Sequence, residues 1–544
     1  MTTPSRPPAA APPGTATRRS VLSAAAAVGG ATLIPAGYVT LAASPAHADD
    51  LLLATDFASG TTEGWTGRGA ATVAVASEEP LLDPCLKIEG RTATWNGAAI
   101  DITAHIEVGV RYEIKVFLRL PEGEAAADLR TSVQRDTGGA SSYDTVKWNT
   151  AVTDAAWVEF TGTYSIGQAA DRLQFYVESD SSLTPILLDA FTLTRLAEPE
   201  IQDLVPLKDV LAEYFPFGCA VEPPEVTGKP AELLAKHFSQ VTTGNQMKPD
   251  AIQPTEGVFD FSRADQIVAF AEANGMKVWG HTLLWHNQTP AWWFLDANGE
   301  PLRNTRAHQR LLLRRLETHA KALAEHYGDR VWAWDVVNEV VDPEQPDGLR
   351  RSRWYEVFGG GRYIGEAFKI ARRAFPRKVK LFLNDYNTEF PDKREAVYNL
   401  VQDLKCRRIP IDGIGHQAHV DYRRPVELLG ESIDLFKELG VLQAVTELDV
   451  SVSDDMYESL PATPPERLIA QGWYYKELFD VLRARADDLE SVTMWGLYDA
   501  VSWLRTWPVS RPHEAPLFFD DRLQAKAAYW GVVDPSRLEP MPEA

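Results

Sequence analysis

Cysteine is scarce in this sequence, with three residues in 544. Three cysteines do not make the disulfide framework that stabilises small secreted domains. Cys219 and Cys406 could form one disulfide bond, but two buried free thiols are expected instead, because free cysteine is among the most commonly buried residue types.

Positive charge is also in deficit, since 54 Lys and Arg stand against 76 Asp and Glu and leave a net charge of −22. A surface of this sign argues against nucleic acid and anionic membranes as partners. Beyond the first 48 residues no apolar run is long enough to cross a bilayer. A neutral ligand is favoured. The 16 Trp and 17 Tyr suit sugars, whose apolar faces stack on aromatic rings.

The first 48 residues resemble an export signal. An acid-free start leads to Thr-Arg-Arg-Ser-Val-Leu at 17–22, then to a weakly apolar stretch and to Ala-His-Ala at 46–48. Twin arginine, a modest apolar region and small residues at a cleavage site predict a Tat-type signal and a secreted mature protein. A disordered basic tail or a membrane anchor is the alternative, and glycine and proline interrupt the run that an anchor would need.

Two regions with different hydrophobic patterns follow. Residues 49–197 contain short alternating runs, such as 112–120 and 173–178, separated by Gly, Ser, Asp and Pro. This pattern predicts an antiparallel β-sandwich of the jelly-roll type. Residues 198–204 are expected to form a linker to the second region.

Residues 205–540 alternate between apolar strand candidates and helical patterns. Eight such units predict a (β/α)₈ TIM barrel, in which catalytic residues gather at the C-terminal ends of the strands. The polar clusters of this region lie at the strand ends and not at the strand starts, so we expect them to form one site. The predicted strand ends are 217–221, 243–246, 280–286, 338–339, 384–387, 416–419, 447–449 and 494–499.

Glu339 and Glu447 each end an apolar run of the kind that forms a buried parallel strand. A buried carboxylate is costly unless it has a function or a partner. Hydrolysis of a glycosidic bond needs two such groups: a protonated one that assists the leaving oxygen, and an ionised one that attacks the anomeric carbon or activates water. A structural ion pair with Arg or Lys is the alternative, but the neighbours here are His, Asn and Trp.

Four residues near the glutamates are expected to support them. His419 would hydrogen-bond Glu447 and keep it ionised, while Asp449, on the same strand face as Glu447, would orient the imidazole. A core histidine is the alternative for His419, and Gln417 on the same face favours the site. The amide of Asn338 could bind the sugar 2-hydroxyl.

His281 and His286 have a spacing that can suggest a metal site. No cysteine or compact acidic triad completes one, so hydrogen bonds from this cluster, with Trp285 and Gln288, to sugar hydroxyls are favoured.

Two tryptophans, Trp495 and Trp503, come at the end of the eighth strand candidate. They could be core residues. Walls of a sugar-binding cleft are favoured, because flat aromatic faces suit pyranose rings.

These segments resemble glycoside hydrolase family 10, which consists chiefly of endo-β-1,4-xylanases on a TIM barrel. The likeness covers about 205–535 and rests on motifs in family order at 281–290, 334–339, 384–387, 411–419 and 446–449. It implies a retaining mechanism without a cofactor, with Glu339 as acid/base and Glu447 as nucleophile. The family's cleft and glycone-side positions correspond to Asn245, Lys248, His281, Trp285, Gln288, Asn338, Tyr386, Gln417, His419, Trp495 and Trp503.

One position departs from the family pattern. The family usually carries a glutamate before the Asn of its Asn-x-Met-Lys motif, where this sequence has Gly244. That carboxylate normally hydrogen-bonds the sugar one place beyond the reacting unit. We therefore expect either weaker affinity at that place or a decorated or different sugar there.

The first region is similar to carbohydrate-binding modules of family 22, on motifs that include Gly-Arg-Thr-Ala-Thr-Trp-Asn-Gly at 90–97. Arg68, Trp95, Tyr143 and Glu178 match the ligand residues of those modules, although Trp95 could instead belong to the sandwich core. The resemblance implies binding of xylan or mixed-linkage glucan and a possible structural calcium ion.

Together these features predict a secreted, monomeric endo-β-1,4-xylanase. The alternatives are a β-1,4-glucanase or decorated-xylan hydrolase of the same family, and a polysaccharide-binding protein without activity.

Overall fold

The structure is a computed structural model that describes residues 50–77, 81 and 84–541. The predicted export signal, residues 1–48, lies outside these residues. The chain separates into two compact units, the first ending at Glu198 and the second beginning at Pro199. Each unit has its own cluster of buried apolar side chains.

The first unit is an antiparallel β-sandwich, which confirms the predicted fold class. Its strands are β1 Asp50–Thr55, β2 Thr66–Arg68, β3 Thr72–Ala76, β4 Cys85–Glu89, β5 Gly97–Asp101, β6 Tyr112–Arg119, β7 Ala127–Thr137, β8 Ala140–Val152, β9 Val158–Tyr164, β10 Arg172–Ser179 and β11 Ile186–Arg195. One sheet has the order β3–β4–β11–β6–β9, with β1 also paired to β11. The other has the order β2–β5–β10–β7–β8.

Alternation along the strands decides which side chains fill this sandwich. On β10, Phe175 and Val177 point into the core, so Tyr176 and Glu178 lie on the opposite face of the sheet. Trp65 is buried between the two sheets, with its ring 6.1 Å from that of Phe175. The outer face of the five-stranded sheet is therefore left to polar and aromatic residues.

The second unit is a closed barrel of eight parallel strands, which confirms the TIM barrel. Its strands are β12 Phe217–Val221, β13 Gln240–Thr243, β14 Lys277–His281, β15 Ala333–Asn338, β16 Lys380–Asp385, β17 Gly413–His416, β18 His419–Asp421, β19 Leu442–Ser451 and β20 Val492–Met494. The order is β12–β13–β14–β15–β16–β17–β19–β20, and β20 pairs with β12 to close the ring. The short β18 adds to β19 beyond the barrel proper.

Helices of the second unit follow most of the barrel strands. They are α1 Leu207–Val210, α2 Gly228–His237, α3 Pro249–Ile252, α4 Ser262–Ala273, α5 Arg306–Tyr327, α6 Arg353–Phe358, α7 Arg362–Ala374, α8 Pro391–Cys406, α9 Glu427–Lys437, α10 Pro465–Arg483 and α11 Ala527–Val533. Thr305 caps the longest one, α5, by accepting a hydrogen bond from the backbone N–H of His308. Among the described helices, none combines the length and the apolar character that a bilayer span requires.

Packing inside the barrel explains why the polar residues collect at one end. Trp279, Ala333, Phe382 and Ala444 form a separate buried cluster on four of the strands. These apolar side chains come early in their strands and fill the interior of the barrel. The polar residues come later in the same strands and therefore lie at the carboxyl end of the barrel, here called the mouth.

The structure corrects part of the cysteine prediction. Cys219 is buried in β12, as expected, but Cys406 is exposed, and neither forms a disulfide bond. Cys406 is the last residue of α8 and is exposed there, so burial was the wrong expectation for it. Burial raises the pKa of the Cys219 thiol well above its usual value, which keeps it protonated and unreactive.

Candidate active site

Glu339 is fixed at the mouth by its backbone. It follows β15 directly, and its φ of 55° lies in the left-handed region that residues other than glycine rarely adopt. Two hydrogen bonds hold this conformation: the Glu339 N–H donates to the Asn384 carbonyl at 2.9 Å, and Arg350 Nε donates to the Glu339 carbonyl at 2.7 Å. A strained backbone that is pinned on both sides is typical of a functional position.

Glu447 lies within β19 and is held by two neighbouring side chains. Asn384 Nδ2 donates to Glu447 Oε1 at 2.6 Å, and His419 Nε2 lies 3.2 Å from Glu447 Oε2. Asn384 thus contacts both glutamates, one through its backbone carbonyl and the other through its amide. The charge of Glu447 also acts on the Glu339 carboxyl group, so the two carboxyl groups belong to one site.

His419 links Glu447 to a second acid, as predicted. Its Nδ1 forms an ion pair with Asp449 Oδ1 at 3.0 Å, and Trp503 Nε1 donates to the other Asp449 oxygen at 2.9 Å. Burial by itself would lower the pKa of His419, but the charge of Asp449 and the contacts with Glu447 raise it to about 10. His419 is therefore a cation at neutral pH and holds the carboxylate of Glu447 in its ionised form.

The two glutamates have pKa shifts of opposite direction. Burial, together with the charges of Asp385 and Glu447, raises the pKa of Glu339. Burial would also raise the pKa of Glu447, but the hydrogen bond from His419 and the charges of His281, His419 and Lys248 hold it below its usual value. One carboxyl group is thus suited to carry a proton while the other stays ionised.

Two further predicted residues lie between these groups. Gln417 Nε2 contacts both Glu339 Oε1 at 3.3 Å and Asn338 Oδ1 at 3.2 Å. The Asn338 carbonyl is thereby occupied, which leaves its amide N–H₂ as the group that a ligand can meet, and this amide lies 3.5 Å from Glu339 Oε1. Asn338 is therefore oriented as a donor at the reaction centre.

The histidines of the third strand end each lie near a carboxyl group. His281 Nδ1 lies 2.8 Å from Asp335 Oδ2, and the same nitrogen is 4.0 Å from Glu447 Oε1. Burial lowers the pKa of His286 to about 4, so this imidazole is neutral beside Glu339, 3.9 Å away. Within the described ranges, no group of three or more His, Cys, Asp and Glu could hold a metal ion. The calcium ion stays a prediction without assigned ligands.

Three predicted polar residues form a network on one side of the mouth. Lys248 Nζ donates to Asn245 Oδ1 at 2.9 Å and to Gln288 Oε1 at 2.8 Å, and Gln288 Nε2 donates to Asn245 Oδ1 at 3.1 Å. The same ammonium group lies 4.7 Å from the centre of the Trp285 ring. These side chains present hydrogen-bonding groups beside an aromatic face, the combination that sugar binding uses.

The remaining predicted cleft residues are aromatic and only partly buried, so Trp495 and Trp503 are not core residues. Trp495 packs edge-on against His281 with ring centres 5.2 Å apart, and Trp503 packs against His419 at 5.0 Å. Tyr386 accepts a hydrogen bond from Arg350 through its hydroxyl, while Lys393 Nζ lies 4.2 Å from its ring centre. Each of the three rings contacts a residue that itself lies near Glu339 or Glu447.

Sequence reasoning missed several site residues. The motif at 384–387 contains Asn384 without indicating its role, Asp335 lies inside an apolar run, and Arg350 lies in a loop without any strand signal. The position of Asn384 at the end of the fifth strand could have identified it, because it is equivalent to that of Asn338 in the fourth. Asp335 could have been found as a lone acid inside an apolar run, where burial demands a partner.

The sandwich unit brings its four predicted ligand residues together around Arg68. Its guanidinium pairs with Glu178 at 3.2 Å and lies 5.4 Å from the ring centre of Trp95 and 5.8 Å from that of Tyr143. Trp95 is 50% exposed and Tyr143 is 57% exposed, so Trp95 is not a core residue. Tyr176, which was not predicted, stacks on Arg68 at 3.9 Å. Exposed rings around a fixed charge suit an oligosaccharide.

Models of two known protein families match this chain. A model of glycosyl hydrolase family 10 matches residues 206–535, and a model of a carbohydrate-binding domain matches residues 49–183. The chain belongs to glycosyl hydrolase family 10. The likeness that the motifs of the barrel suggested is thereby confirmed, and the family 10 domain carries Glu339 and Glu447 at the mouth of its barrel.

The first two relatives of this family 10 chain described below are longer proteins than the chain itself. An exoglucanase of Acetivibrio thermocellus is 37% identical over 509 residues, which cover 89% of this chain and 45% of the relative. Endo-1,4-β-xylanase A of Thermoanaerobacterium saccharolyticum is 37% identical over 512 residues, which cover 91% and 42%. The chain thus spans less than half the length of these relatives. The crystal structure of xylanase B from Clostridium stercorarium F9 matches with a TM-score of 0.59 and 43% identity, over 61% of this chain and all of that one.

The family 10 domain is expected to show a bell-shaped pH dependence. Activity falls on the acid side as Glu447 takes up a proton, at a pH below the usual glutamate range because its pKa is lowered. Activity falls on the alkaline side as Glu339 loses its proton, at a pH above that range because its pKa is raised. Measuring kcat/KM against pH reports both groups in the free enzyme. An alkaline limb that persists in the residual activity of the Glu339→Gln variant on a xylooligosaccharide, whose sugar leaving group needs a proton, would contradict this assignment.

Proposed function

We propose that this chain is a secreted endo-β-1,4-xylanase that cleaves internal bonds of xylan with retention of configuration. The observation that carries the proposal is the pair of glutamates at one mouth with pKa shifts in opposite directions, both of them bound by Asn384. Membership of the family and the printed name of the Thermoanaerobacterium relative support the substrate class.

The reaction proceeds in two displacements. In the first, a carboxylate oxygen of Glu447 attacks the anomeric carbon while Glu339 gives its proton to the departing glycosidic oxygen, so that the C1–O bond breaks and a glycosyl ester forms. In the second, Glu339, now ionised, removes a proton from water, whose oxygen attacks C1 and releases Glu447. The positive charge that develops on the sugar ring lies beside Glu447. We expect the amide of Asn338 to donate a hydrogen bond to the 2-hydroxyl of the same sugar.

A role in cellulose hydrolysis is the second candidate. It is motivated by the relative that is named an exoglucanase and by Gly244, where the family usually has a glutamate. Release of reducing ends from xylan and from cellulose oligomers, compared at equal concentration of sugar units, separates the two. A rate on xylan that exceeds the rate on cellulose oligomers supports the proposal, and the reverse order supports the glucanase. No release from either polymer would leave the binding-protein alternative.

The proposal includes the route to the substrate. Arg18 and Arg19, followed by a weakly apolar stretch and Ala46-His47-Ala48, support export by the Tat pathway. A mature chain that begins near Asp49 in the culture medium is the outcome that supports secretion, and a chain retained in the cytoplasm contradicts it. We propose that the mature enzyme acts as a monomer on plant polysaccharide.

The sandwich unit is proposed to hold the enzyme on its polymer through the surface around Arg68. Replacing Arg68 by Ala removes one of the two arginines that pair with Glu178, leaving Arg130, and removes the cation beside three aromatic rings. We expect the affinity for xylan to fall by about tenfold or more, since a hydrogen bond between a charged group and a ligand contributes about 1.5–3 kcal/mol. Affinity electrophoresis in gels that contain xylan measures this change.

A matched control for Arg68→Ala lies on the other sheet. Arg195→Ala removes only an exposed ion pair with Glu107, at 3.1 Å, and such pairs contribute little. We expect its mobility in the xylan gel to equal that of the wild type. Equal retardation of the Arg68→Ala and Arg195→Ala proteins would contradict a binding role for the Arg68 surface.

A further inference from the structure

Glu222 occupies the space that a side chain at position 244 would need. Gly244 directly follows β13, and Glu222 directly follows the neighbouring β12. A Cβ atom added to Gly244 would lie 2.6 Å from Glu222 Oε1, closer than any real contact. The backbone of Gly244 is not in the left-handed region that calls for glycine. A side chain at position 244 would therefore compete with the Glu222 carboxylate for the same space.

The carboxylate of Glu222 is held firmly in place. Asn245 Nδ2 donates to Oε1 at 2.7 Å, and Gln246 Nε2 donates to Oε2 at 2.5 Å. Each oxygen has a second lone pair, and the side chain remains partly exposed, so a ligand hydroxyl can still be accepted. Asn245, through which the carboxylate reaches the rest of the site, is itself exposed at the mouth.

Glu222 is connected to the reaction centre through Lys248. Asn245 uses its amide on Glu222 and its carbonyl on Lys248, whose ammonium group lies 2.9 Å away. The charges of Glu447 and of Glu222 both act on that ammonium group. Lys248 and Asn245 thus form a continuous series of polar side chains between Glu447 and Glu222 along one side of the mouth.

We infer that Glu222 accepts a hydrogen bond from a hydroxyl of the sugar unit next to the reacting one. Glu222 follows β12, the strand beside β13, which Gly244 follows. The inference rests on the proposed function, because it assumes a β-1,4-linked sugar chain in the site. Under this inference, the position of the sugar unit next to the reacting one has a carboxylate even though residue 244 is glycine. Glu222 is thus a specificity-determining residue on the glycone side.

Two nitrophenyl substrates of different length test the inference. A nitrophenyl xyloside fills only the reacting position, whereas a nitrophenyl xylobioside adds the unit that Glu222 would bind. Glu222→Gln keeps the shape of the side chain and removes its charge. We expect kcat/KM on the xylobioside to fall by about tenfold or more, since hydrogen bonds to charged groups are strong, and kcat/KM on the xyloside to change by less than about twofold.

The same comparison separates failure of the inference from failure of the proposed function. If the wild-type protein hydrolyses neither substrate, the proposed function is wrong. If the wild type is active but Glu222→Gln loses the same factor on both substrates, or loses nothing on either, the inference is overturned and Glu222 is only a structural residue. Thermal melting of each variant shows whether it is folded before its rates are compared.

A swap of the two positions provides a rescue. Glu222→Ala removes the carboxylate and frees the space in front of Gly244, and the added change Gly244→Glu returns a carboxylate from the adjacent strand. We expect the double variant to recover at least part of the xylobioside activity that Glu222→Ala loses. Gly244→Glu alone places two carboxylates in one space, so we expect it to melt at a lower temperature. A double variant no more active than Glu222→Ala would contradict the shared carboxylate position.

Discussion

Replacing Glu447 by Gln is expected to lower kcat on xylan by at least about a thousandfold, because an amide cannot attack the anomeric carbon. The substitution keeps the side-chain volume, and the amide oxygen can still accept a hydrogen bond from one of the two donors, Asn384 or His419. Polymer binding should therefore stay close to that of the wild type. Steady-state release of reducing sugar measures the first effect, and a binding isotherm with a xylooligosaccharide measures the second.

The matched control for this variant is the same substitution on the outside of the barrel. Glu431 lies on α9, is 58% exposed and pairs with Arg394 at the surface. Glu431→Gln should leave turnover within about twofold of the wild type, since exposed ion pairs contribute little. A Glu447→Gln protein that retained more than a tenth of wild-type turnover would be incompatible with Glu447 as the nucleophile.

Replacing Glu339 by Ala is expected to produce a loss that depends on the leaving group. General acid catalysis contributes about 10²–10⁴-fold, so hydrolysis of xylan, whose leaving group is a sugar hydroxyl, should fall by that factor. The first step on a nitrophenyl glycoside should be almost unaffected, since nitrophenolate leaves without a proton. Presteady-state kinetics on the two kinds of substrate give the two factors.

Hydrolysis of the glycosyl ester, the second step of the reaction, gives a further test of Glu339 in the Glu339→Ala variant. Without Glu339 no base activates water, so the glycosyl ester on Glu447 should accumulate and a burst of nitrophenolate should precede a slow steady state. Azide needs no base, so adding it should restore turnover and yield a glycosyl azide. Equal losses on xylan and on the nitrophenyl glycoside, without rescue by azide, would refute the assignment of Glu339 as acid and base.

The fold and the two glutamates could be predicted because both rest on local patterns. Each barrel strand is a short apolar run, and a carboxylate such as Glu447 at the end of such a run requires a function or a partner. The contact between His419 and Glu447 follows in the same way, because His419 comes just after β17, at the start of the short β18, and both strands pair with β19, which carries Glu447. Strand periodicity alone brought these residues to one end of the barrel.

The partners that were missed depend on register and on loops. Asn384 reaches both glutamates only because β16 lies beside β15 with Asn384 opposite Asn338, a register that sequence does not show. The carboxylate of Glu222 beside Gly244 was missed for the same reason, since Glu222 comes from another strand. Arg350, in the loop after β15, carries no periodic signal at all. Exposure of Cys406 was missed because the average behaviour of free cysteine does not apply to the last turn of an outer helix.

The central claim is that Glu447 forms a covalent bond to the sugar that Glu339 helps to release. The configuration of the first product tests it most directly, because two displacements at C1 restore the original anomer and one displacement inverts it. Proton NMR of a xylooligosaccharide digest, recorded before mutarotation, distinguishes the anomers. The β-anomer is predicted as the first product, and the α-anomer would contradict the account.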